Sequence, residues 1–265
     1  MSTARRSRTP MVAAMVALPV LAYAGMCTWM YAKQRELLYL PQSTKADATQ
    51  TDFGIARNGV MLNGWLVNIG QPNAVLYFGG NAERIEDRRK DFSRWFPQAS
   101  TYLVPYRGYG ANEGTPSEAD ILDDALAVFD QVQARQPGAR IVVIGRSLGS
   151  AVASYVASKR PVGKLVLVTP FDSMANVAQS HYPWLPVRWL LQDRYDQARY
   201  LTGYRGPLLI VRAGRDDVVP PESTNQLIAS LKLQPQVLDL PHADHSSVAT
   251  DRTYARALAT FVATP

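Results

Sequence analysis

The pentapeptide Gly145-Arg146-Ser147-Leu148-Gly149 constrains this chain more than any other stretch. It follows an apolar run, residues 141–144, and opens a helical pattern over 150–159. A G-x-S-x-G between a strand and a helix puts its serine on a sharp, strained turn, with the hydroxyl exposed at the end of the sheet. Glycine is needed on both sides, because a side chain at 145 or 149 would collide with the neighbouring strand or helix. The plain alternative is a chance glycine-rich turn. The strand and helix on either side argue against it.

A serine hydroxyl is a weak nucleophile that needs a base, and the base needs an orienting carboxylate. In a sheet of this type the chain order is serine, acid, histidine. Asp217 lies in the loop after the apolar run 208–212, and His245 lies between a strand near 237–240 and the final helix. Both fit the order. Asp216 and Asp172 are rival acids, and His242 is a rival base. Two backbone N–H groups should meet the developing oxyanion. Leu148, at the start of the helix, is expected to supply one. The turn Gly79-Gly80-Asn81-Ala82 after the run 74–78 supplies the other, with Asn81 as donor and Gly80 as the next choice.

The rest of the chain provides a frame for these loops. Residues 37–40, 51–56 and 61–67 read as early strands, with Asn58-Gly59 as a tight hairpin turn. Runs at 74–78, 101–104, 141–144, 165–168 and 208–212 are nearly all apolar, as in parallel strands buried on both faces. Helical patterns fall near 82–96, 117–135, 147–160, 221–231 and 247–263. In the first, Glu83, Arg84, Glu86, Asp87, Arg88 and Arg89 read as a solvated face. This alternation implies one three-layer α/β domain. About 39 residues separate the strands ending at 168 and starting at 208, more than a crossover needs. That insertion is rich in aromatics, and its core, about 171–205, is expected to cap a substrate pocket.

Residues 1–40 carry Arg5, Arg6, Arg8, Lys33 and Arg35 against Glu36, which is four of the net six positive charges. The remainder is nearly neutral, which argues against nucleic-acid binding. Residues 10–31 contain no charge, a length that suits a membrane span. The three arginines before it favour a cytoplasmic N-terminus and an extracytoplasmic, periplasmic catalytic domain. The division expected is an anchor over 1–33 and a catalytic domain over 34–265. Ala22-Tyr23-Ala24 before Gly25 offers the competing reading, a cleaved signal peptide and a secreted enzyme. The single cysteine, Cys27, permits no intramolecular disulfide. His242 and His245 are spaced to bind a metal, but three histidines in all are few for a zinc site, so no metal is expected.

Taken together these residues resemble the α/β-hydrolases, in particular the membrane-anchored branch described as serine-aminopeptidase-like or alpha/beta-hydrolase-domain-containing. The likeness is carried by residues 34–41, by Gly80-Asn81-Ala82-Glu83 and by Tyr106-Arg107-Gly108-Tyr109-Gly110. Gly114-Thr115-Pro116-Ser117 and the serine pentapeptide add to it. The resemblance implies an α/β-hydrolase fold with a mostly parallel central sheet flanked by helices. It also implies a Ser-Asp-His triad without metal or organic cofactor, and hydrolysis of ester, thioester or related acyl bonds. The sequence departs from the family pattern at three positions. Gly79 stands for a usual histidine, Pro105 for an aspartate, and Asp244 for the glycine before the catalytic histidine.

The resulting expectation is a serine hydrolase of small-molecule or lipid acyl substrates. Ser147 attacks, His245 moves the proton, Asp217 holds the imidazole, and the Asn81 and Leu148 N–H groups stabilise the oxyanion. A peptidase and a non-catalytic binding protein of the same fold are the alternatives.

Overall fold

In a computed structural model of the protein, the backbone of residues 9–264 and the side chains of residues 15–264 are described. Arg5, Arg6 and Arg8, on which the orientation argument rests, lie outside the described residues. Eight strands form one sheet: β1 (Phe53–Arg57), β2 (Val60–Val67), β3 (Asn73–Phe78), β4 (Ala99–Leu103), β5 (Ile141–Arg146), β6 (Lys164–Val168), β7 (Leu208–Ala213) and β8 (Gln236–Leu240). Their spatial order is β1-β2-β4-β3-β5-β6-β7-β8. β2 is antiparallel to both β1 and β4, and every pair from β4 to β8 is parallel. Asn58 and Gly59 both have positive φ in the β1–β2 turn, as a two-residue hairpin connection requires.

Alternation along the buried strands sorts side chains to two cores. Leu76 and Val143 face one side, with Ala125, Val128 and Phe129 of α3 (Glu118–Arg135) and Val152, Ala153 and Val156 of α4 (Leu148–Lys159). Val75, Tyr77, Val142 and Ile144 face the other. They pack with Phe92 of α2 (Arg89–Trp95) and with Tyr254, Leu258 and Phe261 of α9 (Arg252–Ala263). α3 starts where the Ser117 side chain accepts the Asp120 N–H, and α9 where Asp251 accepts the Thr253 N–H. This three-layer arrangement is the α/β architecture expected from the alternation of apolar runs.

Two local expectations give way. Residues 37–40 form no strand: Leu37 and Leu38 end the 30-residue helix α1 (Thr9–Leu38). That helix is about 45 Å long at 1.5 Å per residue. It contains an 18-residue window of mean hydropathy 1.4 that is nowhere buried, long and apolar enough to cross a membrane. It runs unbroken through Ala24 and Gly25. The helix expected at 82–96 is also shorter. Ala82 sits at φ +59, and only residues from Arg89 onward are α-helical.

The segment between β6 and β7 carries three short helices, α5 (Met174–His181), α6 (Val187–Leu190) and α7 (Gln197–Tyr200). Its aromatics divide by environment. Phe171, Tyr195 and Tyr204 are buried, while Tyr182, Trp184 and Trp189 are exposed. α1 is tied to this segment along its length. Tyr23 Oη donates to the Trp184 carbonyl at 2.8 Å, and Arg35 pairs with both carboxylate oxygens of Asp193. Tyr39, just beyond α1, shares a buried hydroxyl bond with Tyr195. α8 (Pro221–Ser230) follows β7.

Candidate active site

Four loops meet at the carboxyl ends of the parallel strands, where ligands bind in open α/β sheets. They follow β3, β5, β7 and β8. Ser147, just past β5, has φ +51 and ψ −120, a conformation that L residues avoid unless their surroundings impose it. The imposition is steric. A Cβ on Gly149 would lie 2.1 Å from the Phe78 carbonyl oxygen, and one on Gly145 would lie 2.1 Å from that of Gly149. The Ser147 N–H donates to the Val168 carbonyl at 2.9 Å, which pins the turn between β5 and β6.

The hydroxyl of Ser147 lies 3.0 Å from His245 Nε2. On the other side of the ring, Nδ1 lies 2.8 and 3.0 Å from the two carboxylate oxygens of Asp216. With a carboxylate on Nδ1, the tautomer that satisfies both contacts carries its proton there and accepts from serine at Nε2.

The carboxylate in this chain of contacts is Asp216 and not Asp217. The β7 strand runs to Ala213, one residue further than its apolar run suggests. The next two residues then pair with the histidine loop, Gly214 N–H to Leu240 O and Arg215 N–H to Ala243 O. That register aims Asp216 inward and leaves Asp217 exposed. Asp216 Oδ1 also accepts the Val218 and Val219 N–H groups at 3.0 and 2.7 Å. An aspartate bonding its own backbone two and three residues on is a turn signal that Asp-Asp-Val-Val-Pro carries in sequence. The other rivals are placed elsewhere. Asp172 accepts from Ser223 and Asn176, and His242 is exposed.

The turn after β3 closes over the serine: a Cβ on Gly80 would sit 3.5 Å from Ser147 Cβ. The Gly80 N–H is occupied, donating to Glu83 Oε2 at 2.7 Å. The Asn81 N–H has no acceptor among the described residues. Leu148, first in α4, has none either, as helix starts leave their N–H groups unpaired. Tyrosines of the Tyr106–Gly110 segment hold this turn. Tyr106 Oη donates to the Gly79 carbonyl at 2.8 Å and Tyr109 Oη to Asn81 Oδ1 at 2.6 Å. The end of α1 holds it as well, with Asn81 Nδ2 donating to the Leu38 carbonyl at 2.6 Å.

Glu83 is not on a solvated face. Its carboxylate is buried and accepts from Gly80 N–H, Tyr77 Oη and Arg88 Nε, with Arg146 Nη1 at 3.4 Å. Burial acts to raise its carboxyl, but the charges of Arg146 and Arg88 and the Gly80 N–H hold it below the usual carboxylate range. Arg146 also donates to the His245 carbonyl at 2.9 Å. One guanidinium thus joins the turn after β3, the serine loop and the histidine loop. No sequence pattern announced it, since Arg146 occupies a position of the pentapeptide that carries no constraint.

Two of the three departures from the family pattern have local reasons. A Cβ on Gly79 would meet Ile85 Cγ2 at 2.4 Å, so the space a histidine needs is filled. Asp244 accepts the Ser246 and Ser247 N–H groups, closing the turn that positions His245. Those backbone bonds, that from Ser247 foremost, lower its carboxyl.

Residues 88–201 match the family model described as serine aminopeptidase, S33. The chain is 34% identical over 244 residues to an uncharacterized protein of Mycobacterium tuberculosis, covering 87% of each. This chain belongs to the α/β-hydrolase superfamily. It is 32% identical over 167 residues to the rat lysophosphatidylserine lipase ABHD12, spanning 55% of this chain and 42% of that one. Among solved structures, Est1E from Butyrivibrio proteoclasticus with ferulic acid bound superposes with a TM-score of 0.66. It has 17% identity and covers 80% of this chain and 98% of its own, a likeness of fold. As a member of this superfamily the chain is a hydrolase.

Proposed function

We propose that the protein is a membrane-anchored serine hydrolase of acyl esters or thioesters, with Ser147, His245 and Asp216 as its triad. The observation that carries this is the continuous path from Ser147 Oγ through His245 to both oxygens of Asp216. Ser147 attacks the acyl carbonyl while His245 Nε2 takes its proton, and Asp216 stabilises the imidazolium. The carbonyl oxygen becomes an oxyanion between the Asn81 and Leu148 N–H groups, which have no acceptor among the described residues. His245 returns the proton to the leaving alcohol or thiol. A water, deprotonated by the same base, then releases the acid from the acyl-enzyme.

The helices between β6 and β7 act as a cap, and α1 is a retained anchor that leaves the catalytic domain on the extracytoplasmic side. Retention is supported by the continuity of α1 into contacts with Asp193 and Trp184. A lipid-like substrate fits the exposed aromatics of the cap and the lipase among the relatives.

The test is labelling with a fluorophosphonate, followed by rates on p-nitrophenyl acyl esters and aminoacyl-anilides. Labelling at Ser147, lost in Ser147→Ala, with turnover of esters in preference to anilides, is the expected result. Anilide turnover at the higher rate would make it a peptidase, and an unlabelled Ser147 would overturn the reading.

A further inference from the structure

The segment between β6 and β7 has an unusual surface. Residues 173–192 hold no aspartate or glutamate, and Arg188 is their one arginine. Outside α1, the exposed aromatic side chains among the described residues are Tyr182, Trp184 and Trp189, all within eight positions. Trp184 is 55% exposed and Trp189 is 88% exposed, so the rest of the fold leaves both rings uncovered. Single apolar residues scattered over a surface need no explanation, but a run of large ones marks an interaction surface.

What covers this surface follows from its contact with α1. Tyr23 Oη donates to the Trp184 carbonyl at 2.8 Å, so the loop holding Trp184 lies against the helix. Tyr23 is inside the uncharged run 10–31, about 12 Å along the axis from its end at Tyr31. Trp29 and Tyr31 on this stretch are exposed, and amphipathic aromatics gather where a bilayer meets water. The cap aromatics are thus held level with those of α1. No linker lies between them, because Arg35 pairs with Asp193 and Gln34 accepts the Gln192 N–H at the other end of the same contact. Charge agrees with a lipid surface. Arg188 and Arg194 are exposed, and the Arg194 guanidinium donates to the neutral carbonyls of Leu191 and Arg188. An arginine beside an apolar face suits a lipid phosphate.

We propose that the face formed by Tyr182, Trp184, Arg188 and Trp189 docks on the bilayer that α1 spans. The catalytic domain then lies on the membrane instead of hanging from a tether. The proposal rests on α1 being a retained anchor. Docking also orients the site. His181, next to Tyr182, bonds the Val218 carbonyl at 2.9 Å, and Val218 donates its N–H to Asp216. Val218 is itself exposed, so the docked face borders the loop that carries the acid.

The experiment uses the full chain in liposomes of phosphatidylcholine and phosphatidylglycerol, with acyl-brominated phosphatidylcholine as a quencher inside the bilayer. Trp29→Phe protein keeps Trp65, Trp95, Trp184 and Trp189. Bromolipid is expected to quench its emission, and the quenching is expected to be lost when Trp184→Phe and Trp189→Phe are added. A second measurement places a nitroxide at position 189 through Trp189→Cys in Cys27→Ser protein. Oxygen, which concentrates in lipid, should relax it more than a water-soluble nickel chelate does. Quenching that is unchanged by loss of Trp184 and Trp189, or a nitroxide relaxed more by the chelate, would overturn docking. Protection of the nitroxide from both reagents would also overturn it and give the face to a second copy of the chain. Insertion of α1 is read separately. With Trp184→Phe and Trp189→Phe alone, Trp29 should still be quenched by bromolipid, and its failure to quench would sink the anchor and not the cap face.

Discussion

Arg146 lies 3.4 Å from the carboxylate of Glu83, and both side chains are almost wholly buried. Arg146 is the neighbour of the proposed nucleophile, and Glu83 holds the Gly80 N–H. Their pairing sets the distance between Ser147 and the turn proposed to face the oxyanion. Removing one partner of a buried ion pair leaves the other charge uncompensated. Glu83→Gln is therefore expected to destabilise the fold by about 2–4 kcal/mol. Ester kcat should fall by about tenfold to a hundredfold, short of the loss seen when an oxyanion donor is itself deleted. Thermal unfolding and steady-state kinetics on the same preparation check both.

The acid sensitivity of the turn follows from the same pair. The Glu83 carboxyl titrates lower in the folded protein than in the unfolded chain, so between those two values the unfolded state binds more protons. Its contribution to stability is complete above the unfolded value and is lost as pH falls through the folded one. Urea unfolding below about pH 4.5, the ordinary glutamate range, should show the native chain losing stability faster than Glu83→Gln. Parallel slopes for the two proteins would remove Glu83 from this account.

The two adjacent aspartates should separate cleanly in kinetics. Asp216→Asn leaves the carboxamide against His245 Nδ1 and favours the wrong tautomer, with kcat expected to fall by about 10⁴. Asp217 is exposed, and Asp217→Asn should stay within about twofold, as surface substitutions do. A reversed pattern would restore Asp217 as the acid.

Glycine substitutions test the elbow as a steric device. Gly149→Ala puts a methyl 2.1 Å from a backbone carbonyl in β3, which nothing can relieve without moving the strand. Loss of soluble, cooperatively folding protein is expected. Gly138 has φ +83 but open space around its Cβ, so Gly138→Ala should cost only the backbone strain, about 1–2 kcal/mol. Denaturant unfolding of the pair distinguishes collision from strain.

The end of α1 belongs to the site as well as to the proposed anchor. A chain starting at Lys33 keeps the Arg35–Asp193 pair and the Leu38–Asn81 bond. One starting at Gln42 loses both. The first is expected to remain active on a short-chain ester, and the second to lose about tenfold or more in kcat, because the oxyanion turn is released. Equal activity of the two would show that the turn stands without α1.

Much of this protein is dictated by local sequence. Strands buried on both faces are continuous apolar runs, the Asn58-Gly59 hairpin needs its positive φ values, and the serine turn needs Gly145 and Gly149. These constraints involve neighbours in the chain, so they can be read from it. The order of Ser147 and His245 along the chain carried equally well into their contact at 3.0 Å. What only the tertiary structure decided depends on which way a side chain faces once loops pack. Asp216 and Asp217 are chemically identical, and the pairing of Gly214 and Arg215 with the histidine loop chose between them. Leu37 and Leu38 suit a strand or a helix, and continuation of α1 against the cap decided for helix. Glu83 and Arg88 carry the composition of a solvated face. Glu83 is buried because Arg88 and, 63 residues further on, Arg146 supply the compensating positive charge.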